Sequence, residues 1–206
     1  MSLRKKFFAA TYDRFSRRTE EAGVSAMRER LLTDAGGQVL EIGGGTGANL
    51  RFYAGTVSSL VVTEPEPAML RRLQAKAREQ EPLAKIVQAP AEDLPFEDAS
   101  FDTVVSTLVL CGVHDQARSL GEIRRVLRPG GSLLFLEHVR SDDPDLARFQ
   151  DRMNWLNRFV VQCDCNRPTL ATIEAANFTV SRLEHSTLPK APKFVRPLII
   201  GAAVAG

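Results

Sequence analysis

The residue types with the clearest chemical meaning lie in one short segment, where Glu41 is followed by Gly43, Gly44, Gly45 and Gly47. The segment comes directly after an apolar stretch typical of a strand. Glycine has no Cβ, so the main chain of such a loop can lie against a ligand and can adopt the dihedral angles of a tight turn. The pattern therefore predicts a ligand-binding loop at the end of the first strand.

The loop is compatible with two cofactors. Gly43, Gly45 and Ala48 fit the dinucleotide fingerprint, in which a helix N-terminus holds a pyrophosphate. The alternative is S-adenosylmethionine (SAM), whose cationic amino-acid part suits the Glu41 carboxylate. Glu64 lies 21 residues after Gly43, the spacing expected of a carboxylate that accepts hydrogen bonds from both ribose hydroxyls. Residues 90–96, after the third predicted strand, are expected to hold an adenine ring.

Composition limits the functional class. The chain has 206 residues, 44% of them hydrophobic and 25% charged, which predicts one globular domain. A net charge of +2 argues against a dedicated nucleic-acid binder. No apolar run approaches the roughly 20 residues needed to span a membrane, and no secretory signal is recognised. The chain has three cysteines, and Cys163 and Cys165 are too close together and too isolated to form a zinc site, so we expect no metal. We expect reduced thiols and a cytoplasmic location.

Strands and helices alternate along the chain. A helical N-terminal cap is predicted over residues 1–33, with Tyr12 as a possible lid residue, and an α/β core over residues 34–206. The predicted strands are residues 38–42, 60–63, 85–88, 101–110, 132–139, 178–185 and 198–204. Helices are predicted over 67–80, from Leu120 to Leu127, and over 146–160 and 169–177. Phe149, Trp155 and Phe159 are expected in the core, with a place in the substrate pocket as the alternative. The order indicates a single sandwich with a mostly parallel sheet and helices on both faces.

Five segments occur in a familiar order, namely residues 39–47, Glu64, residues 91–96, residues 100–105 and residues 122–131. With these segments the sequence resembles the class I SAM-dependent methyltransferases, in the broad group (methyltransferase type 11) that includes the ubiquinone/menaquinone C-methyltransferases. The resemblance implies a Rossmann-like, seven-stranded sheet with a reversed last strand. It also implies SAM as cofactor and S-adenosylhomocysteine as product. The cofactor-binding residues are then expected to be Glu41, Gly43, Gly44, Gly45, Gly47, Glu64, Pro65, Ala91, Glu92 and Thr107.

A narrower resemblance rests on residues 107–111, 135–139 and 194–201. There the sequence is similar to the methyltransferase-like seven proteins, which are thiol S-methyltransferases. A small-molecule thiol is therefore the first acceptor expected, and a lipid or quinone-like acceptor is the alternative. Pro90 stands where many relatives have an aspartate that meets the adenine amine, so we expect the Ala91 backbone to contribute there, with Glu92 second.

A proton acceptor is needed only if the methyl acceptor must be deprotonated, and a thiol needs only a weak base. His114 and His138, which follow the fourth and end the fifth predicted strand, are the candidates. Cys111 is expected to be a buried apolar residue. The basic N-terminus with Phe7 and Phe8 could contact a membrane surface. A SAM-binding module without turnover and a NAD-dependent oxidoreductase remain open at this stage, as does the oligomeric state.

Overall fold

The computed structural model describes residues 16–53, 55–81 and 83–206. The expectations for Tyr12, Phe7 and Phe8 lie outside these residues. Seven strands form one sheet: β1 (Gly37–Ile42), β2 (Val57–Thr63), β3 (Lys85–Val87), β4 (Phe101–Thr107), β5 (Leu127–His138), β6 (Phe178–Thr187) and β7 (Pro197–Ala205).

The strand order is β3-β2-β1-β4-β5-β7-β6. The pairs from β3 to β5 are parallel, whereas β7 runs antiparallel to both β5 and β6. The reversed last strand is thus confirmed. Because the order changes direction between β1 and β4, the carboxyl ends of these two strands open a crevice in which ligands of such sheets bind.

Five α-helices have both ends within the described residues: α1 (Ser25–Leu32), α2 (Pro67–Gln80), α3 (Gln116–Val126), α4 (Pro144–Val161) and α5 (Thr169–Ala175). A π-helical segment, Glu20–Val24, precedes α1 and bends at Gly23. Helix α2 has the predicted bounds, with Pro67 in its first turn where no N–H is needed. None of the described helices is both long and apolar enough to cross a bilayer.

Alternate residues of the central strands enter two different cores. Leu40, Val104 and Leu133 belong to one apolar cluster, whereas their neighbours Val39, Val105 and Leu134 belong to a cluster on the other face. The second cluster also takes in Val24, Leu31 and Leu32 from the N-terminal helices. This two-sided burial explains why adjacent residues at the centres of these strands are both apolar.

Two predictions about helices are wrong. Leu127 belongs to strand β5 and not to the preceding helix. In α4, Phe149, Trp155 and Phe159 are not core residues, since they are 42%, 68% and 63% exposed.

The reason for the second error is that α4 turns an amide-bearing face inward. Gln150 donates to the carbonyls of Val139 and Cys165, and Asn157 donates to that of Cys163. Asn154 accepts from the Cys165 N–H, so it also contacts the irregular segment that contains Cys163 and Cys165. Buried peptide groups outside regular structure need such partners, so the amides take the inner face and the aromatic side chains are left outside.

Candidate active site

The glycine loop lies at the carboxyl end of β1, and hydrogen bonds between backbone groups hold it in place. Gly44 N–H donates to the Thr63 carbonyl, and Gly47 N–H donates to the Gly44 carbonyl, each at 2.8 Å. Gly43 has a φ of +57°, and a Cβ placed on it would lie 2.7 Å from Val109 Cγ1. Gly45 has a φ of +58°, but a Cβ there would meet nothing within 4 Å. The loop is therefore closely packed at Gly43 and open at Gly45, as expected of a cradle that a ligand fills.

Glu64 reaches the open side of this loop from the end of β2. Its Oε2 accepts from Gly45 N–H at 2.9 Å, and its Oε1 accepts from Glu66 N–H at 2.8 Å. Burial raises the pKa of the Glu64 carboxyl, while the two backbone hydrogen bonds act in the opposite direction. A carboxylate held in this way beside Gly45 suits the paired hydroxyls of a ribose.

Glu41 is buried beneath the loop. Its Oε2 accepts from the Tyr53 hydroxyl at 2.7 Å, and its Oε1 accepts from Asn49 Nδ2 at 3.1 Å. Burial raises the pKa of Glu41, whereas the Tyr53 hydrogen bond, the Arg28 charge and the Asn49 hydrogen bond lower it. Glu41 therefore belongs to a polar network as well as to the loop.

Arg28 links this network to the N-terminal helices and was not predicted from the sequence. It is 4% exposed, and its Nη1 donates to Thr107 Oγ1 at 2.6 Å and to Asn49 Oδ1 at 2.9 Å. Its Nε donates to Glu20 at 3.1 Å. A guanidinium is thus buried between the ends of β1 and β4, where the amino-acid part of a cofactor would need a cation.

The residues predicted to surround the adenine ring do not converge on one pocket as clearly as those of the glycine loop do. Ala91 packs in the core, and Pro65 is exposed, with its carbonyl accepting from Gln88 Nε2 at 3.2 Å. Glu92 turns toward the segment after β4, where its Oε1 accepts from His114 N–H at 2.7 Å and from Asp115 N–H at 3.4 Å. One oxygen of this carboxylate is therefore occupied in holding the turn at His114.

The side chain of Glu137, in β5, holds the turn that follows β4. It is fully buried, and its Oε1 accepts from Ser106 Oγ at 2.7 Å and from Val109 N–H at 3.0 Å. Leu108, in the same turn, has a φ of +61°. Burial raises the pKa of Glu137, and these hydrogen bonds oppose the rise. The turn that carries Val109 against Gly43 is thus positioned by a buried carboxyl group.

A cavity of about 430 Å³ lies beyond this turn. One wall is the segment 112–114, which includes His114, and the other is the carboxyl end of α4 with the loop that follows. The residues lining the second wall are Trp155, Arg158, Phe159, Gln162, Asp164 and Arg167. The turn after β4 connects this cavity with the glycine loop, because Val109 packs against Gly43 and accepts at 2.7 Å from the N–H of Gly112, which lines the cavity.

The two candidate bases lie in different environments. His114 is exposed and lines the cavity. His138 is buried, and its Nδ1 has no hydrogen-bond partner among the described residues. Burial lowers the pKa of His138 to about 4, although backbone hydrogen bonds at Pro197 and Val195 oppose the change. At neutral pH His138 is therefore an uncharged and weakly basic core residue.

This pKa predicts a pH dependence of stability. Because His138 must stay neutral in the folded chain, its contribution is complete above its ordinary pKa of 6.5 and is lost as the pH falls toward 4. The difference between the two pKa values corresponds to about 3 kcal/mol. We expect urea unfolding between pH 7 and pH 4 to reveal this loss in the native chain. His138→Gln should lack it, and two parallel stability curves would contradict the assignment.

Cys111 and Cys165 do not offer a nucleophile. A hydrogen bond with Cys163 and burial hold the pKa of Cys111 well above its ordinary value, and burial raises that of Cys165 to about 12. Cys111 is buried, as predicted. The described residues contain no cluster of three or more potential metal ligands.

Comparison with known proteins decides the family. Residues 40–135 match a family described as "Methyltransferase domain". The human thiol S-methyltransferase TMT1A is 36% identical over 172 residues, which cover 81% of this chain and 70% of the relative. The chain belongs to the class I SAM-dependent methyltransferases.

Other similarities agree with this family. A phosphatidylethanolamine N-methyltransferase of Cereibacter sphaeroides is 32% identical over 148 residues, covering 68% of this chain and 72% of that protein. The fold matches a crystal structure from Thermotoga maritima titled as a SAM-dependent methyltransferase, possible histamine N-methyltransferase, with a TM-score of 0.73, 21% identity and 98% of each chain covered. This methyltransferase therefore uses the Rossmann-like sheet as predicted, and family membership decides against the dinucleotide alternative left open by the loop.

Proposed function

We propose that this methyltransferase transfers the methyl group of SAM to the sulfur atom of a small-molecule thiol bound in the cavity beside His114. The observation that carries this proposal is the turn after β4, which packs Val109 against Gly43 of the glycine loop and places Gly112 and His114 on the cavity wall. The similarity to TMT1A supports the choice of sulfur.

The cofactor is proposed to bind across the crevice between β1 and β4. Gly43, Gly44, Gly45 and Gly47 provide its backbone cradle, and Glu64 holds the ribose. Glu41 and Thr107 face the amino-acid ammonium group, and Arg28 suits its carboxylate. Pro65 and the Ala91 backbone border the adenine ring. We infer that Glu92 contributes mainly by holding the turn at His114, because its Oε1 already accepts from that turn.

The bound cofactor supplies a methyl group on a positively charged sulfur, which is ready for in-line displacement. The protein's part is mainly positioning, which contributes on the order of 7–11 kcal/mol in well-aligned reactions. A few per cent of an ordinary thiol is already ionised at pH 7, so a weak base is sufficient. We assign the proton from the acceptor S–H to a ring nitrogen of His114, and a structural role to His138.

The test offers isotopically labelled SAM with thiophenol, phenol and aniline, three acceptors of similar shape that differ in the reacting atom. We expect labelled product from thiophenol, at a rate that rises with pH as the thiolate fraction increases. His114→Gln should lower the rate most at acidic pH, where little thiolate is present. Transfer to phenol or aniline without transfer to thiophenol would contradict a thiol acceptor.

A lipid or quinone-like acceptor is a second candidate, and the exposed apolar side chains of α4 favour it. Trp155, Phe159, Val160 and Val161 are all at least 42% exposed. Similar chains include the phosphatidylethanolamine N-methyltransferase described above. Incorporation of label into phosphatidylethanolamine vesicles, with none into thiophenol, would favour this candidate over the first.

We further propose that residues 1–206 act as one domain, with residues 1–33 as a cap on the core. Weak contact of this cap with a membrane surface is compatible with the proposal. A cytoplasmic location is proposed because Cys111, Cys163 and Cys165 are free thiols. The modest net charge of +2 supports small-molecule partners and not nucleic acid.

A further inference from the structure

The cavity beside His114 has an aromatic wall. Trp155 and Phe159 are four residues apart on α4, which places them on the same helix face. Their side chains are 68% and 63% exposed although they belong to a cavity wall. Two large apolar groups held in this way form a surface against which a flat or apolar ligand can pack.

The charges behind this wall are largely paired with one another. Asp164 accepts from Asn154 Nδ2 and from Arg167 Nη2, each at 2.8 Å. Arg167 uses its other donors on the carbonyls of Leu110 and Val113, at 3.1 and 2.7 Å. This pair therefore ties the two walls of the cavity together and leaves little net charge for a ligand.

Arg158 is different. Its side chain is 63% exposed, and its one contact with an acid among the described residues is a 3.4 Å approach to the Asp164 oxygen that Arg167 already occupies. A guanidinium has five N–H donors in a planar fork that matches a carboxylate. Arg158 thus adds a positive charge to the cavity without an equivalent acidic partner.

We propose that the acceptor bound here carries an aromatic or similarly apolar body and a carboxylate group. The apolar body packs on Trp155 and Phe159, and the carboxylate pairs with Arg158, which acts as a specificity-determining residue. This inference rests on the proposed function, because it takes the cavity to be the acceptor site. It excludes cationic acceptors as good substrates, since an ammonium group in the same position would face Arg158.

The chain contains one tryptophan, Trp155, so intrinsic fluorescence reports directly on this wall. The ligands for titration are para-methylthiobenzoate, thioanisole and para-methylthiobenzylamine, which share a ring and differ in charge. We expect the carboxylate to bind about tenfold more tightly than the ammonium compound. Arg158→Glu should reverse this order, and Arg158→Gln should remove it while keeping an uncharged side chain that can still donate hydrogen bonds.

Arg152→Glu is the matched control, since Arg152 is an exposed arginine of the same helix that does not line the cavity. It should keep the native order of affinities. Circular dichroism checks that each variant is folded. If Arg158→Glu does not fold, the Arg158→Gln variant still tests the role of the positive charge. Equal affinities for the three ligands in the native chain, or the native order retained in both Arg158 variants, would overturn the inference.

The titration needs no turnover, so its outcome is separate from that of the proposed function. If the chain methylates thiols but binds the three ligands with equal affinity, the proposed function stands and the carboxylate assignment is refuted. If the order of affinities depends on Arg158 but the chain methylates no thiol, the proposed ligand class is supported and sulfur is refuted as the methyl acceptor.

Discussion

Gly45→Ala is expected to leave the methyltransferase folded and to weaken SAM binding about tenfold or more. The added methyl group has nothing within 4 Å in the structure, so it meets no protein atom. The φ of +58° makes alanine less stable there by about 1–2 kcal/mol. The same methyl group would occupy the open side of the cradle beside Glu64. Isothermal calorimetry with SAM, together with thermal unfolding, measures both effects.

Gly130→Ala is the matched control for backbone strain. Gly130 has a φ of +76°, and a Cβ added to it would likewise meet nothing within 4 Å. It lies near the start of β5, in the irregular stretch between the pairs Phe101–Leu127 and Thr103–Ser132, at the end of the strand opposite the glycine loop. The two substitutions should lower stability by similar amounts, whereas SAM affinity should fall only for the Gly45 variant. Equal SAM affinities in the two folded variants would mean that the loop is not the cofactor cradle.

Glu64→Ala is expected to weaken SAM binding by about 1–3 kcal/mol, which is roughly 5- to 150-fold. Charge-assisted hydrogen bonds to the ribose hydroxyls would be lost, and the carboxylate is well placed to make them because it is already aligned beside Gly45. Glu64→Gln retains one acceptor oxygen and should lie between the native chain and the alanine variant. The measurement is again calorimetric titration.

Glu79→Ala provides the control for loss of one negative charge, since Glu79 is an exposed residue near the end of α2. Its affinity for SAM should match that of the native chain. Native affinity in a folded Glu64→Ala variant would refute the ribose role and would leave Glu64 as a residue that holds the loop.

Much of the fold follows from local sequence patterns. Apolar runs at β1, β4 and β5 predict buried strands, and Pro67 and Gln80 bound α2 as expected. These patterns are reliable because both faces of each strand are covered, so adjacent residues at the strand centre, such as Val104 and Val105, are both apolar. The glycine loop and Glu64 are predictable for a related reason, since both lie directly at strand ends.

The residues that sequence patterns did not reveal act across long separations. Arg28 meets Asn49 and Thr107, which are 21 and 79 residues away in the chain. Asn49, two residues after Gly47, offered a local hint as a polar side chain beside the loop. No periodic pattern distinguishes Arg28 from a surface arginine, because its burial depends on how the N-terminal helices pack against the sheet.

The orientation of α4 was unpredictable for another reason. The expectation that Phe149, Trp155 and Phe159 lie in the core considers only their apolar character and omits the hydrogen bonds that the neighbouring segment at Cys163 and Cys165 requires. Gln150, Asn154 and Asn157 provide them, and the helix turns accordingly. The resulting exposure of Trp155 and Phe159 is what forms the aromatic wall of the cavity.

We propose that the crevice between β1 and β4 holds SAM, and calorimetric titration of the native chain with SAM, S-adenosylhomocysteine and NAD tests this binding most directly. We predict one saturable site for SAM and for S-adenosylhomocysteine, and no measurable heat of binding for NAD. Binding of NAD without binding of SAM would contradict the account.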